Sequence, residues 1–299
     1  MTKLNFEQLR TFLCVVRLGG VRKASIGLNL TQPAVSARLK NLEETLSCEL
    51  FDRSAAGMTL TKRGERLLTY AEQFEHLADL VQKEVIDPEG IEGHLSLGVS
   101  ETIAQCWLPE LISRLHGLYP KLEIEFNVDI SVNLRAGLLN REIDLAILLG
   151  PVSDYSVDNI DLPGFDMAWY TAADAPADAD ARDCLTRPIL TYARNTRPHR
   201  ELKDMLYERV GPGFSMFSSS SLSACFRLVE ANLGVAALPR ALGQDYVDAG
   251  KIREFDPGWV PNPLTFTASY LGEPKSHMVE TAAQIARNVA IEYDGDKNF

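Results

Sequence analysis

The segment that most constrains the fold of this chain runs from residue 21 to residue 46 and reads VRKASIGLNLTQPAVSARLKNLEETL. Two short helical patterns meet in it at a polar break over residues 29–31. Thr31 stands where an N-cap belongs, and Pro33 is tolerated in the first helical turn because its missing N–H would be unpaired there anyway. The second pattern carries an apolar stripe that we expect to pack on the first helix: Ala34, Val35, Leu39, Leu42 and Leu46. The segment therefore predicts two helices joined by a tight turn.

The polar side of the second helix carries the side chains that the reading of DNA requires. Gln32 can pair with adenine through two hydrogen bonds, and Ser36 can bond to either kind of base. We expect Arg38 and Lys40 to hold phosphates, which position a protein on DNA without reading its sequence. The alternative is an ordinary helix hairpin with a solvated polar face, which also occurs in proteins that do not bind DNA.

The flanking residues extend this helix pair into a winged module. Residues 5–12 begin a preceding helix, with apolar side chains at helical spacing. Residues 49–53 and 59–60 lie on either side of a short loop, which is typical of a two-stranded wing, and a new capped helix begins near Thr61.

Five motifs in this region resemble the N-terminal domain of LysR-type transcriptional regulators, in the same order and at the same spacing. They are F-x-x-V from Phe12, T-Q-P-A-V-S from Thr31, L-E from Leu42, L-F-x-R from Leu50 and L-T-x-x-G from Leu60. The resemblance implies a winged helix-turn-helix domain that binds double-stranded DNA at an interrupted palindromic promoter site, with RNA polymerase as a further candidate partner. The residues expected to contact DNA are Arg22, Lys23, Thr31, Gln32, Pro33, Ala34, Ser36, Arg38, Lys40, Arg53 and Thr59.

The wing departs from the family pattern at its tip. Family members usually carry Arg or Lys there, whereas this chain has the uncharged residues Ala55, Ala56, Gly57 and Met58. We therefore expect weak contacts by the tip and a shallower dependence of DNA binding on salt.

The net charge changes sign near the end of the predicted winged module. Residues 1–66 hold 11 Lys or Arg against 6 Asp or Glu, a net +5, whereas the whole chain has a net charge of −11, so that the remainder carries −16. A basic head on an acidic body fits a DNA reader with a separate sensing module. A basic patch can also be solvated surface, so the division supports the interpretation without proving it.

A long helix is predicted to follow the wing. After Gly64, the segment to Val85 has neither proline nor glycine, and its apolar residues recur at three- and four-residue steps. A single such stripe requires a partner helix, which favours dimerisation over packing within its own domain. The resemblance implies the same dimer and a homotetramer built from two dimers. The stripe comprises Leu67, Leu68, Ala71, Phe74, Leu77, Ala78, Val81 and Val85.

Beyond residue 93 the pattern alternates between strands and helices, which indicates an α/β fold. We predict a DNA-binding domain over 1–61, a linker helix over 62–87, a hinge over 88–93 and an effector-binding domain over 94–299. Within the last, lobe I is expected at about 94–163 and 265–291, and lobe II at about 164–264. Two such lobes with crossing strands resemble periplasmic binding proteins, so the predicted fold class is mixed α+β and α/β.

Such lobes bind small molecules between them, where helix N-termini favour anions. Candidate ligand groups are the residues after strands, although each serine is also a plausible N-cap of its own helix, Ser131 among them. Arg194 or Arg197 could fork onto a carboxylate, whereas Glu101 could select an amine, so an anionic or zwitterionic effector is expected. The expected effector-binding residues are Ser100, Glu101, Thr102, Ser131, Leu149, Arg194, Asn195, Thr196, Arg197, Ser219 and Ser220.

Other chemistry is thinly represented in the sequence. The five cysteines are isolated, which favours a reduced cytoplasmic protein and leaves redox sensing by Cys184 and Cys225 as an alternative, alongside regulation without an effector. The five histidines lack metal-ligand spacing, so neither a metal nor a cofactor is expected. No catalytic motif and no bilayer-spanning apolar run occurs, which argues against an enzyme and a membrane protein. A second alternative is a solute-binding protein that works alone. Such a protein would lack the basic head and carry a secretory leader, and we expect the reverse for this chain.

Overall fold

The computed structural model describes residues 4–54, 57–81, 93–175, 183–273 and 276–297. The chain divides into two compact units, Met1–Gly90 and Ile91–Phe299. The hinge predicted over 88–93 lies outside the described residues except for Gly93, as does the end of the linker helix beyond Val81.

The first unit has the element order expected of a winged helix-turn-helix. Its helices are α1 (Phe6–Leu18), α2 (Val21–Gly27), α3 (Gln32–Leu46) and α4 (Lys62–Val81), and its hairpin pairs β1 (Phe51–Ser54) with β2 (Gly57–Leu60). The predicted cap of α3 is confirmed, since the Thr31 hydroxyl accepts a hydrogen bond of 3.3 Å from the backbone N–H of Ala34. Thr61 caps α4 in the same way, accepting from the N–H of Gly64 at 3.0 Å.

The core of this unit lies where α1, α3 and the start of the hairpin meet. Phe12, Val35 and Leu42 are fully buried, and the ring of Phe12 packs against that of Phe51 at 5.4 Å between centroids. The apolar stripe of α3 therefore faces α1, as its spacing predicts. This packing leaves the opposite side of α3 exposed to solvent.

Among the glycines of this unit whose surroundings the structure describes, Gly64 is the one that the packing requires. A Cβ atom at this position would lie 2.2 Å from the backbone oxygen of Leu50, which follows α3. The L-T-x-x-G motif therefore ends in glycine because two backbones approach each other closely at this position.

We expect Gly64→Ala to destabilise the first unit by about 1–3 kcal/mol, because the added methyl group meets backbone rather than a movable side chain. In a thermal melt followed by far-UV circular dichroism, the part of the transition that comes from the first unit should move to lower temperature. The fluorescence transition should not move, because Trp107, Trp169 and Trp259 all lie in the second unit. Gly117→Ala is the control, since nothing lies within 4 Å of a Cβ atom there. Equal melting of the two variants would contradict the prediction.

The second unit contains two five-stranded sheets. Around the first lie β3 (His94–Val99), α5 (Glu101–Cys106), α6 (Leu108–Leu118), β4 (Glu123–Val128), α7 (Ser131–Leu139), β5 (Leu145–Leu149), β6 (Val157–Phe165), β12 (Leu264–Leu271) and α11 (His277–Lys297). Around the second lie β7 (Met167–Ala172), β8 (Ile189–Tyr192), α8 (Arg197–Arg209), β9 (Met216–Ser219), α9 (Leu222–Glu230), β10 (Val235–Pro239), α10 (Arg240–Asp248) and β11 (Ile252–Phe255). We call these groups lobe I and lobe II.

The chain passes between the lobes twice. The strand order is β4-β3-β5-β12-β6 in lobe I and β11-β7-β10-β8-β9 in lobe II. Only Asp166 separates β6 from β7, and the chain returns to lobe I at β12. The predicted architecture of two α/β lobes with crossing strands is confirmed, whereas the exact domain boundaries stay a prediction.

Three local features differ from the sequence-based expectation. The helix expected from residue 100 to Leu115 is interrupted at Trp107, whose φ of −136° is not helical, directly before the turn that contains Pro109. The sequence pattern does not predict strands β6 and β7 or the segment of α10 and β11. Polar residues alternate irregularly along β6, and its strand character comes from pairing with β12.

Candidate DNA-binding and effector-binding sites

The exposed side of α3 presents residues that we predict to contact DNA. Gln32, Ser36 and Lys40 are exposed, whereas Ala34 is half-buried. The remaining predicted contacts of this region are also exposed: Arg22, Lys23, Thr31, Pro33 and, on the wing, Thr59. The structure therefore places most predicted DNA contacts on the surface of the first unit.

Arg38 has a second role that the helical pattern does not reveal. Its guanidinium donates to the Glu7 carboxylate at 3.0 Å and to the Thr11 hydroxyl at 3.3 Å, which ties α3 to α1. A phosphate contact by Arg38 has to compete with this pair. Lys40 lies 3.7 Å from Glu44 with both side chains exposed, and such surface pairs contribute little, so Lys40 remains available for phosphate.

The wing is described only in part. Arg53 lies in β1, with its backbone opposite that of Met58. Its side chain and the tip residues Ala55 and Ala56 lie outside the described part of the chain, so the expectation of weak contacts by the tip stays a prediction.

The predicted apolar stripe of α4 is partly buried and partly exposed. Ala71 is buried, and Leu67 and Leu68 are half-buried against the core of the first unit, which is the packing that we considered as the alternative to dimerisation. A row of large apolar side chains remains 45–61% exposed at helical spacing; it consists of the predicted Phe74, Leu77 and Val81 together with Tyr70, which the predicted stripe did not include. We call this row the α4 stripe.

A cavity of about 310 Å³ lies between the two lobes of the second unit. Eight of the eleven residues predicted to bind effector line it: Ser100, Glu101, Thr102, Ser131, Leu149, Thr196, Ser219 and Ser220. Its apolar wall includes Leu264 and Phe266 of β12, and the ends of β3, β5 and β8 converge on it. This place, where strands end and helices begin, is the usual ligand site of such folds.

Three predicted ligand residues do not line the cavity. Arg194 and Asn195 are exposed. The Arg197 guanidinium donates to the backbone oxygen of Gly150 at 3.1 Å and to the Thr265 hydroxyl at 3.0 Å, so that it connects lobe II with lobe I. The arginine fork onto an effector carboxylate therefore finds no counterpart among the cavity-lining residues.

Glu101 occupies the N-terminus of α9 across the cavity. Its carboxylate accepts from the N–H of Leu222 at 2.5 Å and from the N–H and hydroxyl of Ser223 at 3.0 and 2.6 Å. Gln105 donates to the same carboxylate at 2.9 Å. Because α5 belongs to lobe I and α9 to lobe II, these hydrogen bonds join the lobes.

Ser131 and Asp129 shape the start of α7 differently from the expectation. Ser131 is not the N-cap; its hydroxyl accepts from the N–H of Leu149 at 3.0 Å and so fixes the end of β5. The Asp129 carboxylate accepts from the N–H of Ile130 at 2.7 Å and from the side chain of Asn133 at 3.0 Å. Sequence reasoning missed Asp129, although its place directly after β4 matches that of Ser100 after β3.

Two buried hydroxyls of the cavity wall have no partner in the described structure. Ser100 and Tyr192 are each only 9% exposed, and neither side-chain oxygen makes a hydrogen bond. Burial raises the pKa of the Tyr192 hydroxyl well above its ordinary value, so it stays protonated and can donate. Buried polar groups are normally satisfied. Because both oxygens are fully buried, a ligand in the cavity would reach them only after a small movement of the cavity wall.

The cavity is acidic as well as rich in hydroxyl groups. Of the described residues that line it, Glu101 and Asp129 are carboxylates, and none is lysine, arginine or histidine. Over the described residues, the structure has neither a helix suited to crossing a membrane nor a cluster of three residues that could hold a metal ion.

Comparison with known proteins places both units in one family. Residues 88–290 match the model of the LysR substrate binding domain, and residues 6–65 match that of bacterial regulatory helix-turn-helix proteins of the lysR family. The chain belongs to the LysR family of transcriptional regulators. The HTH-type transcriptional regulator GltR of Bacillus subtilis is 27% identical over 250 residues, which cover 84% of each chain.

Solved structures of LysR-family proteins share the fold of this regulator. A full-length OxyR variant from Pseudomonas aeruginosa has a TM-score of 0.70 and 22% identity, with 97% of this chain and 95% of that chain covered. Full-length LysG from Corynebacterium glutamicum with bound effector Arg has a TM-score of 0.68 and 18% identity, with 97% and 99% covered. At these identities the likeness shows the fold alone.

Proposed function

We propose that this LysR-type regulator binds an interrupted palindromic promoter site as a dimer or tetramer and responds to a small effector in the interlobe cavity. The observation that carries the effector part is the cavity itself, which both lobes line and where Ser100 and Tyr192 present unpartnered buried hydroxyls. A volume of about 310 Å³ suits a ligand with the size of an amino acid.

The charges around the cavity favour a zwitterion over a plain anion. An ammonium group would be attracted by Glu101 and Asp129, whereas an anion without one would meet two carboxylates and no lining cation. The carboxylate of a zwitterion would lie towards the N-terminus of α8 at Thr196, where no side chain caps the helix.

Effector binding between the lobes would act on DNA through the arrangement of the paired heads. A ligand that binds one lobe arrangement better shifts the population towards it. In the proposed mechanism this shift changes the spacing of the two winged heads on the palindrome and hence the bend of the promoter.

The redox alternative has little support from the positions of the two cysteines. Cys225 packs with Ala236 and Leu238 in one cluster, whereas Cys184 packs with Val235 and Ala237 in another. Alternate residues of β10 face opposite sides of the sheet, so the two thiols lie on opposite sides and are badly placed for a disulfide. Burial also raises the pKa of the Cys225 thiol to about 11, which disfavours the reactive thiolate.

A thermal-shift screen of amino acids and small carboxylates tests the effector proposal, with tryptophan fluorescence following the second unit. An effector at 100 times its Kd should stabilise the regulator by about 2.7 kcal/mol. Ser100→Ala should weaken binding of that effector by about 2- to 13-fold, since a hydrogen bond contributes roughly 0.5–1.5 kcal/mol. Thr281→Ala on α11 is the control, because Thr281 bonds only to the preceding turn of its own helix. An effector that binds wild type and Ser100→Ala equally well would contradict the assignment.

A further inference from the structure

The contact of Glu101 with α9 joins a carboxylate of one lobe to the N-terminus of a helix in the other lobe. The carboxylate comes from α5 of lobe I, and the N–H groups come from Leu222 and Ser223 in the first turn of α9, 121 and 122 residues along the chain. The N-terminus of a helix offers unpaired N–H groups and the positive end of the helix dipole, which together favour an anion. Glu101 supplies that anion from the other lobe.

The surroundings of this contact are those of a binding site rather than of an ordinary cap. Ser221 already caps α9, accepting from the N–H of Ala224, so the helix does not depend on Glu101 for its N-cap. Gln105 supports the carboxylate from the next turn of α5 and also donates to the Ser223 hydroxyl at 2.9 Å. Ser100 and Tyr192 line the same cavity, and each is about nine-tenths buried with a hydroxyl that makes no hydrogen bond.

We propose that the N-terminus of α9 is a carboxylate-binding site of the interlobe cavity, and that Glu101 fills it as an internal ligand which latches lobe I to lobe II. While Glu101 is in place, the site rejects external carboxylates, and this directs the anionic end of an effector elsewhere in the cavity. The inference concerns the cavity of the proposed function. Its test uses no effector, so its failure leaves the effector proposal standing.

The test compares full-length wild type, Glu101→Ala and the control Glu208→Ala in matched concentrations of sodium chloride and sodium acetate. Glu208 is an exposed glutamate of α8 that does not line the cavity. Fluorescence of Trp107, Trp169 and Trp259 follows the melting of the second unit alone. In chloride, Glu101→Ala should melt about 4–8 °C below wild type, because it leaves the first N–H groups of α9 without their anion.

Acetate is expected to raise the melting temperature of Glu101→Ala in a saturable manner, because it can enter the vacated site and supply the missing carboxylate. Wild type and Glu208→Ala should respond to acetate no more than to chloride. Equal effects of acetate and chloride on Glu101→Ala would overturn the proposal. An equal acetate response of wild type would overturn it too, because Glu101 would then not be filling the site.

Glu101→Gln keeps the proposal testable if the alanine variant does not fold. The amide keeps the size of the side chain but loses its negative charge, so we expect melting about 2–4 °C below wild type and no acetate response. A glutamine variant as stable as wild type would show that no anion is needed at α9, and would also overturn the proposal.

Discussion

Replacing Leu77 by glutamate is expected to turn the proposed dimer of this regulator into a monomer and to lower its affinity for a promoter site by about 100-fold or more. The reason is the α4 stripe, whose four large side chains are spaced four, three and four residues apart along one side of the helix. Such spacing is that of a seam between paired helices, and a charge placed in it on both subunits opposes their association. The affinity falls because linkage of two half-site contacts raises overall affinity by about 10²–10⁴.

Sedimentation velocity measures the oligomeric state. Fluorescence anisotropy with a promoter fragment that wild type protects in footprinting measures the affinity for DNA. Thr69→Glu is the matched control, because it adds the same charge to an exposed position of α4, roughly a quarter turn away from Tyr70. The control should stay dimeric and bind DNA as wild type does. A Leu77→Glu protein that sediments as wild type would show that the α4 stripe does not hold the dimer together.

The double substitution Gln32→Ala with Ser36→Ala is expected to reduce specific DNA affinity by about 30-fold or more, since contacts to base edges contribute roughly 1–3 kcal/mol each. Both side chains are exposed at the front of α3 and take no part in its packing, so the fold should persist. Binding to random-sequence DNA, and its dependence on salt, should change little, because Lys40, Arg22 and Lys23 remain to contact phosphates.

Footprinting together with competition by random-sequence DNA separates the two kinds of binding. Asn41→Ala, an exposed polar position further along α3, is the control and should leave specific binding unchanged. If the double variant protects the promoter as well as wild type does, α3 does not read base edges in the proposed way. Arg38 is unsuitable for this test, because its loss would also remove the contact with Glu7 and Thr11.

The first unit could be predicted closely from sequence because its signals are short-range. The cap at Thr31 and the apolar spacing of α3 act within a few residues and decide where this helix begins and which side it buries. The same holds for the hairpin between Phe51 and Leu60 and for the start of α4. The five motifs lie in these elements, and this explains why the family was recognisable.

The tertiary structure alone decided which residues became partners. Arg38 meets Glu7 from 31 residues away, Arg197 meets Gly150 from 47, and Glu101 meets Leu222 from 121. Each residue, considered alone, is a charged side chain on a predicted polar surface, and no local pattern names its partner. Such contacts depend on which chain segments the packed sheets bring together. Sequence therefore located the cavity by the ends of its strands, whereas the fold decided that its lining is acidic and that one of its carboxylates is already bound.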